Sequence, residues 1–165
     1  MALEIGQGDI DVDRIDLLPF APVGNADDNV LAFSVGGGYQ FPSGAYVDLN
    51  VTDLDTVNLF GFTDAFGLSA IKLGTGYKFR ADESFSFLAK IGVSFWELDV
   101  SEGFFLNPGP ESGRDFHGTD FFFEVGGEFR FNGAFALTLI HSRDTYDLGD
   151  STATRIGVKY FFGGL

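Results

Sequence analysis

The chain has 165 residues, with 23 Gly, 21 Phe and no Cys, and its 24 acids outnumber its 10 bases to give a net charge of −14. Yet 45% of the residues are hydrophobic and the mean hydropathy is +0.13. This combination excludes a disordered chain, a nucleic-acid surface (which needs a basic footprint) and any disulfide or Cys-based metal centre. No run of about 18 apolar residues predicts a membrane-spanning helix, and no basic segment leading into an apolar one predicts a signal peptide. One domain is expected over 1–165.

The dominant signal along the chain is alternation, the period of β-strands. A first strand, over 3–12, is weak. Its apolar parity shifts from Leu3 and Ile5 to Ile10 and Val12, which predicts a bulge near Gly6 and Gly8. The second, over 30–41, sets Leu31, Phe33, Val35, Tyr39 and Phe41 against small or polar neighbours. The third, over 45–55, sets Val47, Leu49 and Val51 against Asp48 and Asn50. The fourth, over 68–79, sets Ile71, Leu73, Tyr77 and Phe79 against Lys72, Gly74, Gly76 and Lys78. Over 85–99, Phe85, Phe87, Ile91, Val93 and Phe95 oppose Ser86, Lys90, Gly92 and Ser94. Over 119–131, Phe121, Phe123, Val125, Phe129 and Phe131 oppose Glu124, Gly126, Glu128 and Arg130. Over 134–144, Phe135, Leu137 and Leu139 oppose Ala136 and Thr138. The last strand, over 152–162, sets Ile156, Val158, Tyr160 and Phe162 against Arg155, Gly157 and Lys159.

Tight turn chemistry follows the even strands: Pro42-Ser43-Gly44, the segment 80–84, and Asn132-Gly133. The other connections are longer, roughly 18–29, 56–67, 101–118 and 145–151. Eight antiparallel strands therefore carry short turns at one end and long loops at the other.

Two barrels fit this pattern: a soluble one with the Phe face inside, and a membrane one with that face against lipid. Volume separates them, because an eight-stranded barrel has an interior that side chains only just fill. The Phe-bearing face would overfill it. The opposite face carries Gly36, Gly38, Gly74, Gly76, Gly92, Gly126 and Gly157, which suit a crowded lumen. Strands of about eleven residues at a tilt near 45° span a bilayer. The predicted fold is thus an all-β, eight-stranded, up-and-down antiparallel transmembrane barrel. Tyr39, Phe41, Tyr77, Phe79, Phe129, Phe131, Tyr160 and Phe162 would form a lipid-facing aromatic girdle near the short turns.

The Gly-Tyr-x-Phe strand ends, the short turns and the final aromatic strand resemble the eight-stranded outer-membrane barrels typified by outer-membrane protein A. The stretches 70–79 and 87–96 carry the resemblance most clearly. The stretch 154–162 resembles the C-terminal signal read by the outer-membrane insertion machinery. Such signals usually end the chain on Phe, whereas here Gly163, Gly164 and Leu165 follow Phe162. The resemblance implies a bacterial outer-membrane location, contact with the bilayer and lipopolysaccharide, both termini in the periplasm and the long loops outside.

In this arrangement Glu4, Asp48, Asp120, Glu124 and Glu128 point inward, as do Lys72, Lys78, Lys90, Arg130, Arg155 and Lys159. Buried ions need partners, so a salt-bridge network is predicted among Glu4, Asp48, Lys72, Lys90, Glu124, Glu128, Arg130, Arg155 and Lys159. It would plug the barrel, or alternatively line a narrow path for ions or small solutes. The remaining acids collect at the long-loop end.

Other motifs fail on their chemistry. Asp9, Asp11 and Asp13 begin like an EF-hand loop, but Arg14 stands where its Gly belongs and Phe20 where its Glu belongs. Gly74-Thr75-Gly76 lacks a third Gly and a following helix. The resemblance implies one further activity for a His-Ser pair, lipid A modification, and His141 stands beside Ser142; yet alternation sends adjacent side chains to opposite faces, and nucleophile and base need hydrogen-bond reach. No cofactor or metal and no enzymatic activity is expected. The best candidate for an extracellular partner is the segment 101–118, with Phe104, Phe105, Phe116 and His117. A structural or adhesive surface role comes first, a narrow channel second, a lipid A-modifying enzyme third and a soluble ligand-binding barrel fourth.

Overall fold

The computed structural model describes residues 1–12, 26–56, 65–101, 114–146 and 149–162. These form β1 (Ala2–Val12), β2 (Ala26–Gln40), β3 (Ala45–Thr56), β4 (Ala65–Arg80), β5 (Phe85–Ser101), β6 (Arg114–Arg130), β7 (Phe135–Tyr146) and β8 (Gly149–Tyr160). Each strand pairs antiparallel with its neighbours in sequence, and β1 pairs with β8, so the sheet closes as a barrel. Closure removes the sheet edges and pairs the ladder internally, as a lipid environment demands.

β1 pairs without interruption on both sides, from Ala2↔Gly36 to Val12↔Ala26 and from Ala2↔Lys159 to Val12↔Gly149. The expected bulge near Gly6 and Gly8 is therefore absent. β6 begins at Arg114, so Phe116 and His117 lie on a strand and not in a loop. The last connection is also shorter than expected, because the ladder runs up to Tyr146↔Gly149.

Following the register once around the barrel returns to β1 ten residues further on. For eight strands this shear sets a tilt of about 40° and a climb of about 2.5 Å per residue.

Two of the three short turns are held by one device. The Asp82 carboxylate accepts the N–H of Ser84 and Phe85 at 2.7 and 2.6 Å. The Asn132 carboxamide oxygen accepts those of Ala134 and Phe135 at 2.8 and 2.7 Å. In the third turn Gly44 has φ +93°, a conformation that needs glycine.

Inward glycines admit the large lumen side chains. A Cβ on Gly76 would lie 2.5 Å from the Tyr46 ring, and one on Gly38 would lie 2.7 Å from the Asp48 Cβ. Tyr46 and Asp48 occupy the space their neighbours leave.

Candidate functional site

The outward positions form an apolar wall. Leu3, Phe33, Leu49, Leu73, Ile91, Phe123, Leu139 and Ile156 are all exposed. A continuous belt of this kind has no place in water. Its lower edge is aromatic, with Tyr39–Phe41, Tyr77–Phe79 and Tyr160–Phe162 ring centroids 5.0, 4.7 and 4.7 Å apart. Phe129 and Phe131 are exposed on the same rim. The eight residues expected as a girdle thus share one end of the barrel.

The lumen is stacked in tiers. Nearest the short turns, Glu128 accepts from Lys159 at 3.0 Å and pairs with Lys78, and Arg130 approaches it at 3.8 Å. The Phe161 ring lies beside this tier, 5.2 Å from the Lys78 Nζ and 4.1 Å from the Arg130 guanidinium. In the middle, Glu124 bridges Lys90 at 2.6 Å and Arg155 at 2.8 Å. Lys90 also reaches Asp48 at 3.1 Å, and Arg155 reaches Glu4 at 3.3 Å. Above them Lys72 pairs with Asp144 at 2.6 Å.

Lys72 and Arg155 are each 1% exposed and Glu128 2%. Ions this deep persist because every one has a partner. Phe122 lies between two cations, its ring centre 5.2 Å from the Lys72 Nζ and 5.3 Å from the Lys90 Nζ.

Sequence reasoning missed three members of this interior. Asp144 sits on β7 at an inward position and is the ion partner of Lys72. Phe122 is the middle of a three-Phe run, and only the two flanking Phe face outward. Trp96 donates its Nε1–H to Asp120 at 2.7 Å and packs 5.1 Å from the Tyr146 ring. With Asp144 counted, six inward acids face six inward bases among the described side chains.

Toward the long loops the lumen turns apolar. Val30, Ala32, Leu54, Leu68, Ala70, Trp96, Leu98 and Ala153 form one buried cluster, with Phe116 and Tyr146 packed against it. Phe116 is thus part of the interior, while His117 faces outward beside Glu97. Phe104 and Phe105 lie outside the described residues. At the short-turn end a cavity of about 360 Å³ opens beside Tyr46, Asp48, Asn50, Lys78, Glu128 and Lys159. Asp48 Oδ1 and Asn50 Nδ2 lack a protein partner there, and a polar cavity of this size holds water.

The other motifs bring no reactive groups together. His141 faces outward with its Nδ1 3.0 Å from Thr154 Oγ1, whereas Ser142 is buried and donates to the Ala153 carbonyl at 3.5 Å. Among the described residues no three His, Asp or Glu side chains form a metal-binding group.

Closed wall, paired lumen and aromatic rim together define an eight-stranded transmembrane β-barrel. No protein-family model and no curated protein sequence matches the chain. Solved structures do. Neisserial surface protein A matches with a TM-score of 0.72 at 12% identity, over 98% of this chain and 96% of that one. Ail, the attachment invasion locus protein of Yersinia pestis, solved with the heparin analogue sucrose octasulfate, matches at 0.63 and 17%, over 98% and 97%. The N-terminal β-barrel domain of Pseudomonas aeruginosa OprF matches at 0.55 and 15%, over 98% and 97%. The fold is that of the eight-stranded outer-membrane barrels typified by outer-membrane protein A.

Proposed function

We propose that this chain is an integral, non-conducting and non-enzymatic barrel of a bacterial outer membrane, which presents its long connections at the cell surface in a structural or adhesive role. The observation that carries this reading is the two-part filling of the lumen. Paired ions occupy its lower and middle levels, and an apolar cluster around Trp96 lies above them. An ion entering from the short-turn end meets first three cations gathered on the Glu128 carboxylate, then the ion pairs of the middle level, and then an apolar cap.

The bilayer and lipopolysaccharide are its surroundings in this proposal, and the aromatic last strand is what the insertion machinery reads. Phe104 and Phe105 are the proposed partner contacts. Ail was solved with a polyanion, but a chain of net charge −14 repels polyanions. A partner of this barrel is therefore recognised through aromatic or cation-bearing chemistry.

Two experiments test the reading. In planar bilayers the protein is expected to show negligible conductance, and steady unit steps that vanish in Lys90→Ala would make it a channel instead. On whole cells, deletion of 102–113 is expected to abolish binding to host surfaces with the barrel still folded. Undiminished binding would remove the adhesive role from that segment.

A further inference from the structure

The apolar wall is not of even height. On β6 the outward side chains are apolar from Phe131 to Phe121, with Gly127 between them, a climb of about 25 Å that matches the hydrophobic band of outer-membrane barrels. On β7 they are apolar only from Phe135 to Leu139, about 10 Å. Above Leu139 the outward positions are His141, Arg143 and Thr145. On β8 they are Thr154 and Thr152, and on β1 Gln7 and Asp9.

The shear brings His141 and Thr154 level with Ile91 and Phe123 on the far wall, and Arg143 level with Val93 and Phe33. The sector β7–β8–β1 thus carries a polar notch at a depth where the opposite wall is Phe, Ile and Val. Its groups partly serve one another. His141 contacts Thr154 at 3.0 Å, and Arg143 reaches Asp150 at 2.6 Å. The Arg143 side chain nonetheless stays 62% exposed. Ionisable groups on a lipid-facing surface are costly, and the cost grows with depth.

We infer that this notch is where a second copy of the chain docks, β8 against β8, about a two-fold axis along the membrane normal. The inference rests on the membrane placement proposed above. The charges of the sector are self-complementary about that axis. β7 offers the cation Arg143, β1 offers the exposed carboxylate of Asp9, and β8 lies between them with the small side chains of Thr152 and Thr154. A two-fold axis through β8 sets β7 of each copy beside β1 of the other, so Arg143 meets Asp9 twice, as an isologous contact requires. Asp9 stands two strands on along the same register row and so about 6 Å higher than Arg143, a height the long Arg143 side chain spans in the direction it already takes toward Asp150. A planar guanidinium can serve two carboxylates at once. Small residues at the centre let the two backbones approach, which drives association where hydrophobic burial gives nothing.

The chain has no Cys, so single-cysteine variants report the contact directly. Thr152→Cys lies on the proposed axis, and Val93→Cys lies on the far wall at a similar depth. Both are refolded into phosphatidylcholine vesicles, checked for heat-modifiable migration in SDS gels, and oxidised. Thr152→Cys is expected to give a disulfide dimer and Val93→Cys to remain monomeric. Adding Arg143→Asp to Thr152→Cys is expected to abolish the dimer, and adding Asp9→Arg as well is expected to restore it. Folded barrels that cross-link equally at both positions, or not at all at position 152, overturn the dimer. Failure of the unsubstituted chain to fold into vesicles overturns the membrane placement instead.

Discussion

The ion pair of Lys72 with Asp144 gives the sharpest test of how the lumen is stabilised. Both side chains are 1% exposed, and Asp144 is the ion-pair partner of Lys72 among the described residues. Replacing Asp144 by Val leaves a buried ammonium without its ion-pair partner, beside the Phe122 ring, and breaking a buried pair from one side costs about 3–5 kcal/mol. Glu124→Gln breaks two contacts, but Lys90 keeps Asp48 and Arg155 keeps Glu4. Its cost is expected to be smaller, about 1.5–3 kcal/mol, the worth of a hydrogen bond to a charged group. The double variant Lys72→Met with Asp144→Val removes both charges and fills the space with apolar atoms. It is expected to lie within about 1 kcal/mol of the unsubstituted barrel, because such replacements are often neutral. The assay is urea unfolding in lipid vesicles, followed by the single Trp of the chain, Trp96, which is buried against Tyr146. The double-mutant cycle then isolates the pair. A double variant as unstable as Asp144→Val would refute the reasoning, since the loss would then come from packing and not from an orphaned charge.

Adjacent glycines on β2 should behave oppositely. A Cβ on Gly37 meets nothing within 4 Å, whereas one on Gly38 meets the Val47 carbonyl oxygen at 2.2 Å. Gly37→Ala is expected to leave the urea midpoint unchanged, and Gly38→Ala to cost at least about 1–3 kcal/mol by overpacking; equal midpoints would contradict the close approach. In the β4–β5 turn, the two backbone N–H donors from Phe85 and Ser84 hold the Asp82 carboxyl below its usual range. A depressed carboxyl stabilises the fold fully above the unfolded value of about 4 and loses that contribution as the pH falls through the lower folded value. Amide exchange at Ser84 and Phe85 should therefore gain an acid-side opening step beyond the intrinsic pH dependence. Asp82→Asn should remove that step, because Asn132 holds its own turn as a neutral amide.

The inward and outward faces were legible because they depend only on residues two apart, and the strand order followed from the short turns that join sequence neighbours. Period two assigns every side chain to lipid or lumen, and the charged positions then have to find partners. What alternation does not carry is which partner. Asp144 was reachable by extending the parity of Leu137 and Leu139, yet it read as an acid at the rim. Lys72 lies on β4, three strands away, and the two meet only across the barrel. Phe122 was hidden for a related reason. An inward Phe looks like an error in a polar lumen until Lys72 and Lys90 are found on either side of its ring. The shift of parity on β1 suggested an extra residue, yet its ladder pairs without interruption on both sides.

Height is the quantity that joins these cases. Two residues on neighbouring strands share a register row, yet each step around the barrel raises that row by about 3 Å at this tilt. The ten-residue shear is a property of closure, set jointly by eight pairings, and no single strand encodes it. Only after the shear is applied do the aromatic ends fall into one rim, the ion pairs into tiers and the apolar side chains into a cap. The same operation exposes the notch beside β8. His141 and Thr154 look unremarkable on their own strands, because each stands only a few residues from the apolar run. They become anomalous when the far wall at their level proves to be Ile91 and Phe123. The charge excess resolves in the same way. Among the described side chains six acids face six bases inside, so the described lumen adds nothing to the net charge of −14, and Arg80, Asp82 and Glu83 give only −1 at the short turns.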